Sequence, residues 1–183
     1  MRALGPRNLV LVGFMGTGKT TLGRAVARLL GRPFQDTDAL VVARVGIPIP
    51  QIFAREGDAG FRRHEAAVVA SAAALTGRVL ATGGGVLSEP ENVRALRANG
   101  ILVALLARPE VILERVGGAR AGVRRPLLNV PDPLAQIREL LAAREPIYGL
   151  ADLRLDTSDL GQKQAARALL ERIAAEGERL PRG

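Results

Sequence analysis

The 183-residue chain contains no cysteine and no tryptophan, and it has a single histidine. The first absence excludes disulfides, zinc thiolate sites and cysteine nucleophiles together. Aromatic residues make up 3% of the chain, so there is little to stack on exposed nucleic-acid bases. Long hydrophobic runs are also missing: no stretch approaches the roughly 18 consecutive apolar residues of a membrane span. Met1 to Asn8 carries no apolar signal region of the usual length. A cytoplasmic protein that does not engage a membrane is the expectation. Lysine is scarce as well, with only Lys19 and Lys163, so the net charge of +8 is carried almost wholly by arginine. Those arginines are scattered rather than clustered, which argues against a nucleic-acid partner and still favours small anionic ligands. The length suits one domain with a sizeable core, and residues 1–183 are read as a single unit.

The apolar run Leu9-Val10-Leu11-Val12 leads directly into Gly13-Phe14-Met15-Gly16-Thr17-Gly18-Lys19-Thr20, a full match to G-x-x-x-x-G-K-[ST]. In this loop the glycines let backbone N–H groups close around phosphate oxygens. Lys19 reaches the β and γ phosphates, and Thr20 offers a hydroxyl to Mg²⁺. The run before it reads as a strand buried on both faces. From Lys19 onward Leu22, Val26, Leu29 and Leu30 follow helical spacing until Gly31 and Pro33. The phosphate therefore meets a helix N-terminus, where unpaired N–H groups and the macrodipole favour negative charge.

Strand-like and helical segments alternate along the rest of the chain, which predicts an α/β fold with mainly parallel strands. Strands are expected at Leu9–Val12, near Phe34, and at Arg78–Ala81, Ile101–Leu106 and Leu153–Asp156. Helices are expected at Lys19–Leu30, Thr37–Val45, Ala59–Leu75, Pro90–Ala98, Pro109–Val116, Pro133–Arg144 and Gln162–Glu176. The stretch Gly117 to Pro131 breaks the pattern and reads as a loop, with Arg120, Arg124 and Arg125 placed to cover a triphosphate if it acts as a lid.

Ligands of open α/β sheets sit beyond the carboxyl ends of the strands, so the polar residues there are candidates for an acceptor site. Asp36-Thr37-Asp38 follows the second strand. One carboxylate can help hold Mg²⁺ and the other can orient or accept a hydroxyl proton, although either also suits a helix cap. Thr82-Gly83-Gly84-Gly85 follows the third strand, where missing side chains allow close backbone approach, as they equally do in a tight turn. Arg62 and Glu65 share a helical face and form either a carboxylate clamp or a surface ion pair. His64 points elsewhere and reads as solvated. Arg144-Glu145-Pro146-Ile147-Tyr148 supplies a further cation.

Taken together, this ordered set resembles the shikimate kinase family. It comprises Gly13 to Thr20, Asp36-x-Asp38, Ile52-Phe53 with Phe61-Arg62-x-x-Glu65, Thr82 to Gly85, Arg125-Pro126-Leu127-Leu128, Arg144-x-Pro146-x-Tyr148 and Asp156-Thr157. The resemblance implies a nucleoside-monophosphate-kinase-like P-loop fold, with a central five-stranded parallel sheet flanked by helices and a mobile lid over residues 117–131. Residues 37–76 would form the acceptor-binding segment. It implies Mg²⁺- and ATP-dependent phosphorylation of the 3-hydroxyl of shikimate, in chorismate and aromatic amino-acid biosynthesis, by a monomer.

Position by position, the resemblance gives ATP to Gly13, Gly16, Thr17, Gly18, Lys19, Thr20, Thr21, Arg115 and Arg125, with Arg115 against adenine. Shikimate falls to Asp38, Arg62, Glu65, Gly83, Gly84, Gly85 and Arg144, and Mg²⁺ to Thr20 and Asp36. Lys19, Asp38 and Arg125 are the expected catalytic groups. No adenine contact is assigned to Ser158-Asp159. Two other classes stand beside this reading: a related kinase acting on another hydroxylated acid, and a nucleotide-dependent regulatory module. A GTPase is disfavoured because no N-K-x-D or D-x-x-G motif is present. The adjacent Arg124 and Arg125 can be separated by steady-state kinetics. Arg124→Ala and Arg125→Ala compared singly show which of the two carries the lid role by the larger loss of kcat and of ATP use, and equal negligible effects would remove both from the mechanism.

Overall fold

A computed structural model describes residues 4–117, 128 and 130–176. Five strands, β1 (Asn8–Gly13), β2 (Phe34–Asp36), β3 (Val79–Ala81), β4 (Gly100–Leu106) and β5 (Leu153–Asp156), form one sheet in the order β2-β3-β1-β4-β5. Every pairing is parallel. The expected five-stranded parallel sheet is therefore present, with crossovers made by α1 (Lys19–Leu30), α2 (Thr37–Val45), α3 (Ile49–Ala73), α4 (Pro90–Ala98), α5 (Pro109–Val116) and α6 (Pro133–Tyr148). The last helix, α7 (Gln162–Glu176), follows β5 and packs beside α1.

Alternate residues of the central strands feed two cores. Val10, Val12, Leu80, Leu102 and Ala104 face α3 to α6, where Val69, Leu96, Ile112 and Ile137 meet them. Leu9, Leu11, Val79, Ile101 and Val103 face α1 and α7 through Leu22, Val26, Leu169 and Ile173. Both sheet faces are thus covered, which is why β1 and β4 read as continuous apolar runs. A smaller cluster of Val41, Ile52, Phe61 and Val68 fastens α2 to α3. No single helix among the described residues is long and apolar enough to cross a membrane.

Two helix boundaries differ from expectation. The third helix begins at Ile49 rather than Ala59 and bends at Gly57, whose φ of 68° and ψ of −172° lie outside the helical region. Pro50 lies in its first turn, where the missing N–H costs nothing. Gly57-Asp58 interrupts the apolar periodicity and hid the first half. The sixth helix continues past Arg144 through Pro146 to Tyr148. A proline inside a helix carries a cost, offset here by the burial of Tyr148 and by its phenolic hydroxyl donating to the Gly84 carbonyl at 3.0 Å.

The start of β1 is tied to the loop before β3 by one side chain. Asn8 is 1% exposed, its Oδ1 accepts from the Arg78 amide at 2.9 Å, and its Nδ2 donates to the Leu75 carbonyl. Asn8→Ala leaves both backbone groups without their partners and is expected to destabilise the fold by about 2–3 kcal/mol, measured by urea unfolding. A change within experimental error would show that the clip carries no weight.

Candidate active site

The parallel register places the ends of β1, β2 and β3 side by side, with Leu11 opposite Ala81 and Ala81 opposite Asp36. The loop after β1 runs into α1 with Gly18 as the N-cap, at φ 95°, and no side chain caps the helix. Its first turn also has no acidic residue. The N-terminal amides and their partial positive charge thus remain available to an anion. Lys19 Nζ donates to the carbonyls of Gly13 and Phe14, each at 2.8 Å, and so lies across the loop. Gly13 itself packs against β4: a Cβ there would stand 2.3 Å from the Leu105 carbonyl oxygen. Close packing of strand ends requires a residue without a Cβ there.

Asp36 performs two tasks. Its Oδ1 accepts from the amides of Asp38 (3.1 Å) and Ala39 (3.4 Å), capping α2, while its Oδ2 accepts from the Thr20 hydroxyl at 2.7 Å. The cap and the link to the phosphate loop are thus made by the same carboxylate. Thr20 and Asp36 form an all-oxygen pair suited to a hard divalent cation that keeps most of its waters. Among the described residues no group of three or more His, Asp or Glu side chains forms a metal cage. Such a cage is not required when phosphate oxygens complete the shell.

The glycine run after β3 touches the groups singled out as the acceptor site. A Cβ on Gly83 would lie 2.8 Å from Asp38 Oδ1 and 2.9 Å from Glu65 Oε1. One on Gly84 would lie 3.3 Å from Arg144 Nη1, and one on Gly85 would lie 3.0 Å from Arg62 Nη2. Absent side chains here let two carboxyl groups and two guanidinium groups close on one stretch of backbone. Thr37 holds the run in place, its hydroxyl accepting from the Gly83 amide at 3.2 Å.

Arg62 and Glu65 are paired at 2.6 Å, with Glu65 only 1% exposed. The pair is therefore not a surface ion pair. Burial pushes the Glu65 carboxyl above its ordinary value, while Arg62 pulls it back, and Asp38 and Glu89 add smaller upward pushes. Glu65 Oε2 takes the guanidinium, and Oε1 is buried beside Gly83 without a hydrogen-bond partner among the described residues. Arg144 lies with its Cζ 5.2 Å from the Phe14 ring centroid, a cation–π contact that joins the acceptor side to the phosphate loop.

All of these groups line one cavity of about 780 Å³: Gly16 to Thr21, Asp36, Asp38, Arg62, Glu65, Thr82 to Gly85, Arg115 and Arg144. Its walls also include Met15, Ile49, Phe53 and Phe61, apolar positions that the sequence did not single out as ligand-facing. Phe53 stacks on Phe61 at 4.6 Å across the Gly57 bend, a neighbourhood that no helical spacing rule reveals. His64, expected to be solvated, is half-buried with Nε2 3.1 Å from Glu56, and takes no part in the cavity. Asp159 makes a bidentate pair with Arg108 at the surface. The lid arginines Arg120, Arg124 and Arg125 lie outside the described residues.

A family model described as shikimate kinase matches residues 15–174. The shikimate kinase of Symbiobacterium thermophilum is 48% identical over 94% of this chain and 99% of its own length. That of Caldanaerobacter subterraneus is 46% identical over 90% of this chain and 94% of its own. Among solved structures, the shikimate kinase from Acinetobacter baumannii in complex with shikimate superposes with a TM-score of 0.87 at 37% identity, covering 96% of this chain and 97% of that one. With a phosphate loop and an acceptor cluster facing one cavity, and with these matches along nearly its whole length, the chain belongs to the shikimate kinase family.

Proposed function

We propose that the protein transfers the γ-phosphoryl group of ATP to the 3-hydroxyl of shikimate, giving shikimate 3-phosphate and ADP. The observation that carries this reading is the single cavity in which Lys19, Thr20 and Asp36 face Asp38, Arg62, Gly83 to Gly85 and Arg144. A bare nucleotide switch has no use for a second cluster of two arginines and a carboxylate opposite its phosphate loop.

On this reading the phosphates of ATP rest on the amides of Gly16 to Thr20 and on the N-terminus of α1, while Lys19 neutralises the charge that builds during transfer. Arg115, held at the far end of the loop, lies against the adenine. Thr20 and Asp36 would hold Mg²⁺, the latter through water. The ion supplies charge neutralisation on the transferring group. Asp38, fixed beside Gly83, orients the acceptor hydroxyl and takes its proton. Arg62 and Arg144 grip the shikimate carboxylate. Glu65 aligns Arg62, and the bare backbone of Gly84 and Gly85 lets the ring come close. Phosphoryl transfer requires mainly alignment and charge stabilisation, so no covalent intermediate on the chain is needed. The protein acts as a cytoplasmic monomer forming one P-loop kinase domain, in which residues 37–76 present the acceptor groups.

Purified protein with Mg²⁺-ATP and a panel of hydroxylated acids is expected to release ADP briskly with shikimate alone. Brisk turnover of another acid without shikimate turnover would establish the alternative kinase. Asp38→Asn is expected to lower kcat by about 100-fold or more while shifting KM little. Arg62→Ala or Arg144→Ala is expected to raise the KM for shikimate by roughly 10- to 100-fold, with the KM for ATP nearly unchanged. Shikimate kinetics unaltered by all three would remove the acceptor assignment.

Glu65 links the clamp to pH. Its folded-state carboxyl titrates above the ordinary value of 4.5, so folding favours its protonated form. The stability it contributes is complete below pH 4.5 and is lost as pH rises through the folded-state value. Glu65→Gln keeps an acceptor for Arg62 and removes the titration. Urea midpoints measured from about pH 4.5 upward are expected to fall less in the variant than in the parent protein. Parallel profiles would show that the buried carboxyl is not the source.

A further inference from the structure

Thr157, at the end of β5, connects parts of the nucleotide side that are far apart in sequence. It is 4% exposed, and hydrogen-bonding groups of Arg115, Thr17, Leu106 and Leu160 converge on it. Arg115 Nη1 donates to its hydroxyl at 3.0 Å and Arg115 Nη2 to its carbonyl at 2.6 Å. The hydroxyl oxygen lies 3.1 Å from the Thr17 carbonyl and 3.0 Å from the Leu106 carbonyl. The Thr157 amide already donates to Leu106 at 2.8 Å. The single hydroxyl hydrogen is therefore best used on Thr17, which sits inside the phosphate loop and is itself 1% exposed.

This geometry bears on how an anion cradle works. A loop that presents amides to phosphate must turn its carbonyls away, and each carbonyl turned into the protein needs a donor there. Thr157, itself among the residues that line the cavity, supplies that donor for Thr17. With its lone pairs and its own carbonyl it fixes both ends of the Arg115 guanidinium, whose flank lines the cavity. One side chain thus sets the spacing between the phosphate loop and the arginine beside it.

We infer that Thr157 is a positioning residue for nucleotide binding, acting through Thr17 and Arg115 rather than by touching the reacting atoms. The inference rests on the nucleotide half of the proposed function and is independent of which acceptor is used. Its two consequences are separable from fold stability. Loss of the hydroxyl frees one end of Arg115 and removes the donor to Thr17, so nucleotide affinity falls. The hydrogen bonds of Thr157 among the described residues run to Arg115, Thr17, Leu106 and Leu160 and not to the arginines Arg62 and Arg144 of the acceptor side, so acceptor affinity holds.

The test is titration calorimetry of Mg²⁺-ADP and, separately, of shikimate, against the parent protein, Thr157→Val and Thr157→Ser. Thr157→Val, nearly the same shape without the hydroxyl, is expected to weaken ADP binding by about tenfold and to leave shikimate binding within about twofold. Thr157→Ser restores the hydroxyl and is expected to bind ADP within about twofold of the parent. Unchanged ADP affinity in the valine variant would overturn the inference. So would equal loss of affinity for both ligands, or a serine variant as weak as valine. Should the valine variant fail to fold, Thr157→Ala set beside Thr157→Ser gives the same comparison with the same outcomes.

Discussion

The in-register parallel pairing of β2, β3 and β1 is the constraint on which the site depends. Asp36 stands opposite Ala81, and Ala81 opposite Leu11, so β2 and β3 end level with each other and β1 runs two residues further, all leaving the same edge of the sheet. The phosphate loop, the Asp36-Thr37-Asp38 segment and the Thr82–Gly85 run are the continuations of those strands. Side chains alternate across a strand with a period of two, so a slip of one residue would exchange the two cores and carry Asp36 away from Thr20. Because Leu9 and Leu11 pack on α1 and α7 while Val10 and Val12 pack on α3 to α6, the register is fixed by burial. The hydrogen bond from Thr20 to Asp36 is therefore a consequence of core packing as much as of the two residues that make it.

The second principle of the site is the use of missing side chains to gather charged ones. Gly83, Gly84 and Gly85 each face a different functional group, and a Cβ at any of them would crowd Asp38 and Glu65, Arg144 or Arg62. The result is a set of like and unlike charges held closer than solvated side chains would settle. Glu65 bears the cost, with a carboxyl raised by burial and one oxygen lacking a partner among the described residues. Strain of this kind is expected where a carboxylate-bearing ligand is to be gripped by guanidinium groups of fixed orientation. Tyr148 and Phe14 extend the same logic outward, placing Arg144 against the glycine run and the phosphate loop at once.

Much of this is legible in the sequence. The phosphate loop carries its own context of strand and helix, and the two-residue spacing of Asp36 and Asp38 at a helix start admits few chemical roles. β1, β3 and β4 are legible as short apolar runs, whereas β2 is Phe34-Gln35-Asp36 and shows only one apolar residue, and β5 alternates as Leu153-Arg154-Leu155-Asp156. The first half of α3 is not legible, since Gly57 bends the helix and resets the apolar period, leaving Ile49 and Phe53 without a visible partner face. The last turn of α6 was hidden by Pro146, a reliable stop signal that burial of Tyr148 overrides. Thr157 carries no signal of its linking role, because its bonds to Arg115 and Thr17 join positions 42 and 140 residues apart in sequence and local pattern holds no information on such pairs. For Arg62 and Glu65 the spacing was right but its meaning was open, and only burial separates a clamp from a surface pair.

The donor and acceptor halves are two walls of one cavity, built from neighbouring strand ends. The most direct test is a crystal structure of the protein with Mg²⁺-ADP and shikimate bound together. The ADP phosphates are expected on Gly16 to Thr20, the shikimate carboxylate between Arg62 and Arg144, and its 3-hydroxyl beside Asp38 facing the nucleotide. Shikimate bound outside this cavity, or with its carboxylate turned toward Asp38 and its hydroxyls toward the arginines, would contradict that arrangement.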